Sequence, residues 1–106
     1  MPSVHSASID RLFDGILKLS TREECYAFFE DLCTVNEIKD MAQRLDTAFL
    51  LKSGVNYQGI SKDVGISTAT ISRVSRCLNY GSGGYNLVIN RLKEEQTASE
   101  ENKHED

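Results

Sequence analysis

The stretch YQGISKDVGISTATISRVSRCLN, Tyr57 to Asn79, decides how this chain folds. Its apolar residues Ile60, Val64, Ile66, Ile71 and Val74 stand where two short helices joined by a tight corner face each other and the core. Ser61 is the small residue required where the helices cross. Gly65 occupies the reversal, which needs positive φ. Ser67 is a natural N-cap for the second helix. The spacing predicts a helix-turn-helix over 57–79.

The second helix has an outward side that can be read on a 100° wheel. Ser67, Ile71, Val74 and Leu78 form the inward stripe. Opposite lie Ala69, Ser72, Arg73 and Arg76, flanked at the N-terminal end by Thr68 and Thr70. This side carries small residues, hydroxyls and two guanidinium groups, but no acid. An ordinary solvated face mixes Glu with Lys. A helix with this face can enter a major groove, where hydroxyls and a methyl touch base edges and arginines bond guanine or phosphate.

Charge distribution points the same way, although the total does not. The chain has 106 residues, a net charge of −4 and 26% charged residues, whereas a basic domain is the usual footprint of a nucleic-acid binder. Residues 1–51 hold five Lys or Arg against nine Asp or Glu, and residues 92–106 hold two against six. Between them, Lys52, Lys62, Arg73, Arg76 and Arg91 face Asp63 alone. A locally basic segment therefore lies between two acidic ones.

Outward from the motif, helical periodicity continues and no strand-like alternation is sustained. Ile9, Leu12, Phe13, Ile16 and Leu17 make one apolar stripe. Ser20-Thr21-Arg22-Glu23 reads as a capping box before Cys25, Phe28, Phe29, Leu32 and Cys33. Thr34-Val35-Asn36-Glu37 reads as a second box, opening a long helix with Ile38, Met41, Ala42, Leu45, Ala48 and Phe49 on one side; Gly54 stops it. After the break at Tyr80–Gly84, the residues Tyr85, Val88, Ile89 and Leu92 pattern a sixth helix. The expectation is an all-α domain over 1–95, with an acidic, disordered tail over 96–106. A chain this small gains core from a partner subunit.

The run Gly65-Ile-Ser-Thr-Ala-Thr-Ile-Ser-Arg73 resembles the turn and recognition helix of the Trp repressor, within its YerC/YecD-type group. The likeness extends back through Leu32-Cys-Thr-Val-Asn-Glu-Ile38, Arg44 and Leu51-Lys-Ser-Gly54, and forward to Tyr85–Leu92, covering roughly residues 20–93. It implies a six-helix, intertwined homodimer that binds duplex DNA in the cytoplasm as a transcriptional repressor. Thr68, Ala69 and Ser72 are then expected at base edges, with Thr70 beside them. Arg73, Arg76 and, from the first helix, Lys62 are expected on the DNA as well. The resemblance further places Thr34, Arg44 and Arg73 at the positions of an effector pocket. Val74, however, stands where the family has glycine, and a branched side chain there fills the space an indole needs. Tryptophan is therefore not the expected effector, and for Arg44 an ion pair with Asp40 or Asp46 is the structural alternative.

Other chemistries find little support. Cys25, Cys33 and Cys77 make neither a paired disulfide framework nor a CxxC metal knuckle, and are expected as small hydrophobes at least half-buried. His5 and His104 lie near opposite ends of the sequence, and Ser67, Ser72 and Ser75 have no nearby His or Lys base, so no catalytic or metal site is expected. Gly81-Ser-Gly-Gly84 lacks the Lys-Ser/Thr of a phosphate loop. The longest uncharged stretch, Cys77 to Asn90, is broken by glycines and polar residues, so no membrane span is expected. The competing reading is a helical protein-interaction or architectural module without operator specificity.

Overall fold

The computed structural model of the chain describes residues 4–104, with side chains through residue 98. Among the described residues it contains six α-helices and no strand. The helices are α1 (Ala7–Ile16), α2 (Arg22–Leu32), α3 (Val35–Lys52), α4 (Tyr57–Val64), α5 (Thr68–Tyr80) and α6 (Gly84–His104). The chain groups into two compact units, Met1–Lys39 and Asp40–Asp106, the boundary falling within α3.

The N-terminal unit is held by caps more than by a core. Ser6 caps α1 by accepting the Ile9 amide, satisfying one of the orphan N–H groups of a first turn. The capping box before α2 is shifted by one residue from the expected Ser20 and Glu23. Thr21 accepts from the Glu24 amide, and the Glu24 carboxylate accepts from the Ser20 amide at 2.7 Å. Thr-x-x-Glu begins one residue later than Ser-x-x-Glu in the same run, and the extended φ of −128° at Thr21 marks the true helix entry. The second box forms as expected: Thr34 accepts from the Glu37 amide, and the Thr34 amide donates to the Glu37 carboxylate at 2.8 Å. That backbone bond, followed by the Thr34 hydroxyl, holds the Glu37 carboxyl below its ordinary value. Phe28 and Phe29 meet edge-to-face, with centroids 5.7 Å apart. Neither α1 nor α2 contains a buried residue.

The C-terminal unit has a true core. Ala48 of α3, Val74 of α5 and Ile89 of α6 are buried together, with Leu45, Phe49, Leu51, Leu78 and Tyr85 packed around them. Ile60 and Ile71 are fully buried within the helix-turn-helix. Full burial of a residue such as Ile71 is worth about 1.5–3 kcal/mol.

Two polar ties fix where α3, α5 and α6 meet. The Lys52 ammonium donates to Asn86 Oδ1 at 2.7 Å, and Asn86 Nδ2 donates to the Leu78 carbonyl at 3.1 Å. One asparagine thus joins the last turn of α3 to the last turn of α5, where free carbonyls need donors. Gln43 Nε2 similarly reaches the Val64 carbonyl at the end of α4.

The last helix departs from the expected end at residue 95. Its backbone continues through Gln96 to His104, so the tail expected to be disordered is helical over 96–104; residues 105 and 106 lie outside the described residues. Glu, Gln, Ala and Lys are good helix formers, and no Gly or Pro intervenes to stop the helix. The cysteines also differ from expectation: Cys25 and Cys77 are exposed, and Cys33 is half-buried. No helix among the described residues is long and apolar enough to cross a membrane.

Candidate nucleic-acid interface

The corner between α4 and α5 is built from three local devices. Gly65 adopts φ +79° and ψ +35°, the left-handed conformation that ends α4, and its amide donates to the Ser61 carbonyl. Ser61 Oγ reaches over the corner to the Ile66 carbonyl at 2.7 Å. Ser67 then caps α5, accepting from the Thr70 amide. Ser61 is thus more than a small residue at a crossing: its hydroxyl holds the corner closed.

This corner presents α5 with three of the four expected inward residues on the core side, while Ser67, also expected inward, is exposed. Ile71 and Val74 are buried and Leu78 is half-buried, so one side of the helix is committed to the core. On the other side Thr68, Ala69, Ser72, Arg73 and Arg76 are all exposed, as is Lys62 on α4. No carboxylate belongs to this face of α5. The first turn of the helix carries only small side chains, so its backbone can approach a partner closely, and the cationic side chains follow one and two turns later.

Thr70 is set apart from these residues. It is half-buried, its hydroxyl lies 3.1 Å from that of Ser67, and it lines a cleft rather than the outward face. That cleft, about 290 Å³, is bordered by Arg44, Thr70, Arg73, Val74, Cys77 and Tyr85. Two of the three expected effector residues, Arg44 and Arg73, therefore meet at one cavity. Thr34 belongs to the N-terminal unit, where its polar atoms serve the Glu37 capping box. Val74 is buried, and its branched side chain forms part of the cleft wall. Among the described residues no group of His, Cys, Asp and Glu is arranged to hold a metal ion.

One exposed residue of α5 escaped the sequence reading. Tyr80 is the last residue of the helix and is 87% exposed. The spacing 69, 73, 76, 80 continues the stripe, but the glycines that follow drew the expected boundary one residue early. Asn86 was missed as well, with no local signal to find it, because its partners lie 34 and 8 residues away.

Comparison with known proteins gives a consistent picture. The family model for the Trp repressor protein matches residues 7–93. The uncharacterized protein YerC of Bacillus subtilis (strain 168) is 54% identical over 91 residues, covering 86% of this chain and 88% of that protein. A Staphylococcus aureus protein solved as a candidate Trp repressor superposes with a TM-score of 0.82 at 50% identity, covering 85% of this chain and 90% of that one. A TrpR-like protein from Eubacterium eligens ATCC 27750 gives 0.83 at 46% identity, covering 85% and 93% respectively.

Proposed function

We propose that this chain, a member of the Trp repressor protein family, is a repressor that binds specific duplex sites as an intertwined homodimer. The family is one of transcription regulators rather than enzymes. The observation that carries the reading is the exposed, acid-free side of α5 bearing Arg73 and Arg76, held outward by the left-handed corner at Gly65. Thr68, Ala69 and Ser72 address base edges, while Arg73, Arg76 and Lys62 hold phosphate or guanine. Thr70 acts from behind, through the start of the helix.

The dimer is supported by the N-terminal unit. Leu17 is 79% exposed, Val35 66% and Phe13 54%, and α1 and α2 bury nothing of their own. Apolar stripes left this open are the surfaces that a second subunit covers. Two recognition helices then lie about one duplex turn, roughly 34 Å, apart. The named relatives are bacterial proteins, and a cytoplasmic location is part of this proposal.

A salt series on a random-sequence duplex tests this reading. Affinity is expected to fall linearly on a log–log plot, with a slope near −0.9 for each phosphate neutralised. Absence of duplex affinity at low salt overturns it in favour of a protein-interaction module.

The effector is a separate matter. We propose that the cleft does not take tryptophan, because Val74 occupies the indole's space. The chain contains no tryptophan, so the added amino acid reports its own binding. No saturable change in its fluorescence is expected, and a saturable one refutes this assignment. Arg44 and Arg73 leave the cleft suited to a smaller carboxylate or phosphate.

A further inference from the structure

We infer that Tyr80 is a further DNA contact, its phenolic O–H donating to a backbone phosphate at the rim of the groove; the inference rests on the regulator reading above. Three observations lead there. Eleven residues beyond Ala69, Tyr80 falls only about 20° from it on the helical wheel, between the directions of Arg73 and Arg76. It shares their face, and at 87% exposure its ring is given to nothing in the subunit.

Length comes second. The thirteen residues of α5 span about 20 Å, whereas the major groove is about 12 Å wide. When the N-terminal residues of the helix address the bases, its last turn has left the groove and lies over the phosphates. A neutral hydroxyl donor at the end of a stiff ring suits that place.

Third, the end of the helix is fixed. A Cβ at Gly81 would lie 2.5 Å from the Cys77 carbonyl oxygen, and the Gly81 amide donates to that same oxygen at 2.9 Å. Glycine therefore lets the last turn close on Cys77, which keeps Tyr80 in helical register. The chemistry of the stripe favours nucleic acid over protein: the α5 stripe that Tyr80 ends carries Arg73 and Arg76 and no acid, and one aromatic at the end of a cationic stripe is not the apolar patch that a protein partner needs.

The test compares wild type, Tyr80→Phe and Tyr80→Ala in the full chain, on a random-sequence duplex and on fragments selected by the wild type. Tyr80→Phe is expected to lose roughly 5- to 10-fold in affinity, equally on both DNAs and with an unchanged salt slope, since no charge is removed. Tyr80→Ala should lose little more. Wild-type affinity in Tyr80→Phe overturns this inference alone, and so does a changed oligomer mass in Tyr80→Ala, which would give the ring to a subunit contact. A wild type without duplex affinity overturns the regulator reading and this inference together.

Discussion

Replacing Arg73 and Arg76 together with alanine lowers duplex affinity by about 1,000-fold or more while leaving the fold intact. Both residues are exposed on α5, and alanine is the better helix former, so circular dichroism and melting temperature should stay at wild-type values. Each lost arginine contact is worth roughly 1–3 kcal/mol, and a dimer loses each contact twice. Fluorescence anisotropy with a labelled duplex, repeated over a salt series, separates the two kinds of contact. A phosphate contact takes about one unit off the salt slope and weakens every sequence alike. A guanine contact leaves the slope nearer its original value and relaxes selectivity at one base pair. Position along the helix predicts different roles: Arg73 also borders the cleft with Arg44, whereas Arg76 lies a turn nearer the rim, where phosphate is the available partner. Unchanged affinity in the double variant removes α5 as the binding surface.

Gly65→Val produces the largest loss of stability. With φ at +79° the residue occupies a conformation that costs an L-amino acid about 1–2 kcal/mol, and more when it is β-branched. Nothing lies within 4 Å of the Cβ that would be added, so the cost is one of backbone conformation and not of collision. That distinction can be measured. Gly65→Asn, a side chain that tolerates the left-handed region, should melt close to wild type and keep its DNA affinity. Gly65→Val should melt about 10 °C lower, at roughly 4–8 °C per kcal/mol for a domain of this size. If the corner relaxes to escape the strain, the Ser61 hydroxyl loses the Ile66 carbonyl and α5 changes its angle, so binding falls with stability. Equal melting temperatures for the two variants contradict the role given to this corner.

Much of the architecture was legible because the signals that specify it are local. A hydroxyl three residues before a glutamate, as at Thr34 and Glu37, writes a helix start into four consecutive residues. Gly54 and Gly65, both with positive φ, mark helix ends for steric reasons that no distant contact needs to supply. The 3.6-residue period assigned Ile71 and Val74 to the inside, which left Ala69, Ser72, Arg73 and Arg76 outside. Local signals become ambiguous when two alternatives stand side by side. Ser20 and Thr21 each precede a glutamate by three residues, and the geometry chose Thr21.

Thus the amino-acid order alone determined the six helices, the glycine corner and the cationic side of α5, since capping, φ preference and periodicity act over a few neighbouring residues. Only the tertiary structure decided that Thr70 turns toward the cleft shared by Arg44 and Arg73, and that Asn86 ties Lys52 to the Leu78 carbonyl. Those outcomes join residues 8 to 34 positions apart, and no short-range preference can encode which distant groups meet when helices pack. Tyr80 falls between the two cases: its spacing was present in the sequence, but only the closed last turn of α5, with Gly81 bonded back to Cys77, kept it on the face.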